Sequence, residues 1–104
     1  MFGFKRKNGQ IDSFANELAT KMYSNIPELS TWAGLGSVDK KQKKKLDNEI
    51  QRAAESVLAF KDSVKLGVYG KARFHMEFSE RLKTIGINKE VAEFINKSLL
   101  VMTP

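Results

Sequence analysis

The chain contains no cysteine, so disulfide staples and thiolate metal sites are excluded. It has one histidine, His75. A metal site needs several converging ligands, and His75 has no His or Cys to join it. No apolar run approaches the roughly 20 residues that a membrane-spanning helix requires. The opening segment Met1-Phe2-Gly3-Phe4-Lys5-Arg6-Lys7 is too short and too basic for a secretory signal, because no apolar stretch follows it. Position 2 is Phe, so myristoylation of a second-position glycine does not apply. Together these absences point to a cytoplasmic protein without metal or other cofactor and without membrane insertion.

Catalytic patterns are equally sparse. The acidic residues stand singly among basic ones, so no paired-carboxylate site is visible. None of the serines has a nucleophile-elbow context. His75 lies beside an apolar stripe with Glu77 two residues on, off its own helical face, which reads as a surface or boundary histidine. The expectation is a protein that is not an enzyme.

What is present is a globular composition. Hydrophobic residues make up 41% and charged residues 29% of 104 residues, which fits a single folded domain and not a disordered chain. The net charge is +6, from 18 basic and 12 acidic side chains. Five of the positive charges are Lys40, Lys41, Lys43, Lys44 and Lys45. The basicity is therefore local, and a local patch can bind or steer a polyanion.

Apolar spacing predicts four helices, at approximately 12–25, 38–66, 70–85 and 88–101, and no sheet. The fold class expected is all-α, with a flexible basic arm over 1–10 and one helical domain over 11–104. In the first helix Phe14, Leu18 and Met22 recur every four residues, Asp12 or Ser13 can cap the start, and Pro27 marks the stop. In the second, Leu46, Ile50, Ala53, Val57, Phe60 and Val64 fall within a band about 80° wide, a pattern no strand can make. Gly67 is the expected left-handed terminator. Phe74, Phe78, Leu82 and Ile85 face one way in the third helix. Val91, Phe94, Ile95, Leu99 and Met102 do so in the fourth, with Asn88 as its cap. Residues 27–37 form a loop too apolar to be free, pinned by Leu29, Trp32 and Leu35.

At about 42 Å the second helix is too long for a domain this size to cover completely. Its lysine-bearing turns precede the first stripe residue, so they are expected to project past the core. Cations at a helix N-terminus oppose the helix dipole. The same free amides joined to lysines would make a good anion site. Lysine lacks the fork geometry of arginine, so a nucleic acid would be held by its backbone with weak sequence preference.

Two further outlines carry less. Residues 78–95 read helix, glycine turn, helix, but Glu90 and Glu93 on the second helix would repel phosphates. An ordinary αα-hairpin is the better reading. Gly67-Val68-Tyr69-Gly70 has the glycine spacing of an RNA-clamping loop, yet that fold needs strands. Leu58 and Leu66 sit about 120° and 160° off the stripe, and Trp32 is a hot-spot residue type where exposed. These three are the protein-interaction candidates. The function expected is a small non-catalytic binding or accessory protein whose partner is a macromolecule, protein ahead of nucleic acid, with a homodimer as one form. The alternative is a polyanion-binding module using Lys40, Lys41, Lys43, Lys44 and Lys45.

Overall fold

The computed structural model describes residues 2–104, with side chains described from Asn8 onward. It consists of helices α1 (Phe2–Asn25), α2 (Lys40–Val64), α3 (Val68–Ile85) and α4 (Lys89–Met102), with two 3-10 turns between α1 and α2 and no strand among the described residues. The all-α fold and the four helices are as the spacing predicts.

Direction follows from the side-chain pairs. Asn25 meets Glu49 and Phe14 meets Phe60, so α1 and α2 are antiparallel. Ile11 approaches Gly70 and Phe14 approaches Phe74, so α3 runs parallel to α1. His75 meets Asn96, which makes α3 and α4 antiparallel. Packing closes a ring in the order α1, α3, α4, α2. Helices α2 and α3, joined by a tight turn, therefore occupy opposite corners. Short connections usually join packed neighbours, but here α1 and α4 fill the space between.

Each expected stripe supplies the centre of the core. Leu46, Ile50, Ala53 and Val57 of α2 are buried, as are Phe74, Phe78 and Leu82 of α3 and Val91, Ile95 and Leu99 of α4. From α1 come Ile11, Ala15, Leu18, Ala19 and Met22. Aromatic rings link three of the helices. Phe14 stacks on Phe60 at 4.2 Å between centroids and 7° between planes. Phe74 lies 5.6 Å from Phe14 and 5.6 Å from Phe78.

The ends of the helices differ from expectation in four ways. First, α1 begins at Phe2, not at Asp12. Extending a helix costs far less than nucleating one, so the packed segment from Ile11 onward propagates backwards through residues that lack apolar periodicity. The arm expected over 1–10 is thus helical in its backbone from Phe2, and the side chains of residues 1–7 lie outside the described residues. Second, Asp12 is interior to α1 and caps nothing. Its carboxylate instead accepts two bonds from Arg73 of α3, at 2.9 Å from Nε and 2.8 Å from the Nη2 nitrogen.

Third, α2 ends at Val64, with Lys65 in the left-handed conformation at φ 60°. Gly67 was expected in that role but is extended and opens α3. The chain must reverse at once to start α3, so the left-handed residue comes earlier. Fourth, Gly70 lies inside α3 and not in the turn. A Cβ there would sit 3.0 Å from Leu66 Cδ2 and 3.4 Å from Ile11 Cδ1, so its lack of a side chain permits the close α1–α3 approach.

Candidate functional site

The lysine-rich start of α2 is held by local chemistry. The Asp39 side chain accepts from Gln42 N at 2.8 Å, and Gln42 Oε1 accepts from Asp39 N at 3.1 Å, a reciprocal capping box. The free amides expected to join an anion site are thus partly taken by a carboxylate. Two of the five lysines also have internal partners. Lys43 Nζ donates to Asp47 at 2.9 Å and lies 5.1 Å from the centre of the Phe94 ring. Lys45 Nζ donates to Glu28 at 3.0 Å, which holds that carboxyl below its ordinary range. Lys40, Lys41 and Lys44 remain exposed on the outer side of the helix.

This end of α2 does not project from bare core as expected. Leu29 and Trp32 are buried, Leu35 and Val38 pack against the core, and Glu90 Oε1 accepts from Leu35 N at 3.1 Å. The connecting segment folds back and covers the side of the first turns. The longer overhang belongs to α1. From Ile11, which packs near Gly70 at the start of α3, the helix continues to Phe2, a further ~13 Å.

Trp32 is buried, with 5% of its surface exposed, so it is a core plug and offers no ring face to a partner. Its indole N–H has no hydrogen-bond partner among the described residues. Leu58 is the opposite case, 45% exposed on α2. Leu66 is half-buried against the core. The two leucines come together in one open groove with Ala59, Lys61, Asp62 and Lys65. A second apolar groove runs along α4, lined by Phe94, Lys97, Ser98, Val101 and Met102. Phe94 and Met102 were expected in the packed face of α4. They fall at its edge because Ala92 faces inward with Val91, Ile95 and Leu99 and takes their place in the core.

His75 is buried, not at the surface or boundary. Sequence spacing put it beside the α3 stripe, but α4 packs over that flank. Its Nδ1 donates to Asn96 Oδ1 at 2.7 Å, and Nε2 is buried with no partner among the described residues. Burial holds the imidazole below its ordinary pKa and nearby Lys71 adds to the effect, while the bond to Asn96 opposes it. The ring is enclosed between helices and meets an amide, not an acid.

One polar residue was not singled out by sequence reasoning. Glu49 of α2 is buried, accepts from Asn25 Nδ2 at 2.8 Å, and lies 3.6 Å from a guanidinium nitrogen of Arg52. Its position next to the stripe residue Ile50 was the available signal. With Lys21 and Arg52 it lines a small cleft between α1 and α2. No group of three or more His, Cys, Asp or Glu side chains that could hold a metal occurs among the described residues. No helix among them is long and apolar enough to cross a membrane. Helices α3 and α4 form an αα-hairpin. Gly86 turns left-handed at φ 109° and Asn88 caps α4 by accepting from Glu90 N at 2.9 Å. The contact between His75 and Asn96, far from that turn, keeps the two helices side by side.

Comparison with protein-family models, with curated proteins and with solved structures gives no match.

Proposed function

We propose that the protein is a non-catalytic binding module that holds a protein partner on the outer face of α2, at the groove containing Leu58 and Leu66. The observation that carries this reading is the exposure of Leu58 on a helix whose central apolar residues are otherwise packed within the chain. The groove joins Leu58 to Ala59 and Leu66, and Lys61, Asp62 and Lys65 rim it with both signs of charge. An apolar centre with a polar rim is the anatomy of a protein contact. Leu46, Ile50, Ala53 and Val57 are taken up by internal packing, so a homodimer through α2 would use this outer face and not the buried stripe.

A specific observation also favours polyanion binding. Lys40, Lys41 and Lys44 are exposed and appear in no hydrogen bond or ion pair among the described residues. Against it, Asp39, Asp47 and Glu28 lie among the five lysines and lower the local potential.

Affinity capture from a native lysate at two salt concentrations, with nuclease as control, separates the readings. A nuclease-resistant partner lost with Leu58→Glu and kept when Lys40, Lys41 and Lys44 become Gln supports the groove. Nuclease-sensitive, steeply salt-dependent capture lost with the lysine variant transfers the function to the start of α2. Light scattering on wild type and Leu58→Glu reads whether the partner is a second copy.

A further inference from the structure

One end of the bundle gathers exposed apolar side chains from separate helices. Helices α3 and α4 are antiparallel with His75 beside Asn96. Counting outward along both helices places Met102 level with Tyr69 and Thr103 level with Val68. Val68 is 90% exposed and Tyr69 58% exposed in the first turn of α3. Val101 is 77% exposed in the last turn of α4, flanked by the exposed Leu100 and Met102. Lys61 of α2 donates to the Pro104 carbonyl oxygen, which brings the end of α2 to the same place.

The charge at this end is mostly of one sign. Lys61 and Lys65 end α2, and Lys71 follows Val68 and Tyr69 in α3. Asp62 is the acidic residue between the first two, and Asp12 is already paired with Arg73. The α1 backbone passes this end on its way to Phe2.

We infer that this end docks on an anionic lipid surface, with Val68 and Val101 entering the headgroup region and Lys65 and Lys71 meeting lipid phosphates. The inference goes beyond the binding module proposed above and uses different apolar residues. Two physical features select lipid over a protein partner. Val68 and Val101 stand out from the ends of separate helices; a yielding surface accepts such a shape, whereas a protein surface must be cut to fit it. Apolar tips with cations behind them are also the composition of interfacial anchors, in which lysine stems stay in the apolar layer while ammonium groups reach phosphate. The charge of one sign disfavours a second copy of the same end.

Co-sedimentation with vesicles tests this, using an equimolar phosphatidylglycerol–phosphatidylcholine mixture against phosphatidylcholine alone. Wild-type protein sediments with the anionic vesicles and far less with the neutral ones. Val68→Asp with Val101→Asp weakens apparent partitioning by at least about tenfold. Lys65→Gln with Lys71→Gln weakens it by about 25-fold at low salt, from roughly fivefold per lysine. Both valines are exposed, so circular dichroism and thermal midpoint stay at the wild-type values. Equal partitioning to both vesicle types, or unchanged partitioning of the valine variant, overturns the inference. So does a loss confined to Lys40→Gln, Lys41→Gln and Lys44→Gln, which places the contact at the opposite end. Absence of vesicle binding together with loss of a lysate protein in the valine variant assigns this end to a protein. Leu58→Ala removes the exposed leucine of the groove without adding charge beside Lys61 and Lys65, so lysate capture lost with vesicle binding kept, or the reverse, separates failure here from failure of the groove reading.

Discussion

The stack of Phe14 on Phe60 ties the second half of α2 to α1, and its strength can be measured. The rings lie 4.2 Å apart and are nearly parallel at 7°, and both residues are half-buried. Truncating a fully buried phenylalanine to alanine costs about 3–5 kcal/mol. Half burial scales this to about 2 kcal/mol for Phe14→Ala or Phe60→Ala, of which the ring pair itself supplies about 1 kcal/mol. The double variant loses that pair term once, not twice. It should therefore cost about 3 kcal/mol, against about 4 kcal/mol for independent sites. For a domain of this size 1 kcal/mol moves the thermal midpoint by about 4–8 °C, so each single variant should melt roughly 10 °C lower. Urea denaturation of the wild type, both single variants and the double variant closes the cycle. A coupling energy within about 0.3 kcal/mol of zero, smaller than contacting residues show, would refute the stack and the account of how α2 is held.

Other consequences are more local. Burial of His75 depresses its pKa below 6.5. The folded state then binds fewer protons than the unfolded state, so this contribution to stability is present above 6.5 and is lost as pH falls toward the folded pKa. Denaturant midpoints between about pH 5.5 and 7.5 should rise with pH, and His75→Gln should flatten that rise. Asp39→Ala removes the capping box at the start of α2 and should cost about 1 kcal/mol in urea denaturation, with the slope unchanged. Gly86→Ala places a Cβ at φ 109°, in a turn with open space around it. Its cost of roughly 1 kcal/mol, read from the thermal midpoint, should be strain in the backbone and not collision.

The helices were legible because their signal is local. A spacing of three and four residues puts Leu46, Ile50, Ala53 and Val57 on one side whatever lies across from them. The stop at Pro27 and the cap at Asn88 work through neighbouring backbone. The start of α1 was not legible, since propagation from Ile11 leaves no mark on residues 2–10. Lys65 as a left-handed residue was not legible either, because any residue can be forced there when the next helix must begin at once.

The candidate surfaces divide along the same line. Sequence placed Leu58 and Leu66 away from the stripe, because angle around a helix axis depends on number alone. It could not say that Leu58 stays exposed while Leu66 tucks against the core, or that α4 closes over His75. Each of those depends on which residue sits opposite, and the ring order of α1, α3, α4 and α2 chooses the opposite residue. Local periodicity fixes which face of a helix is apolar. Only the tertiary arrangement decides how much of that face, and which helix ends, meet another helix or remain in water.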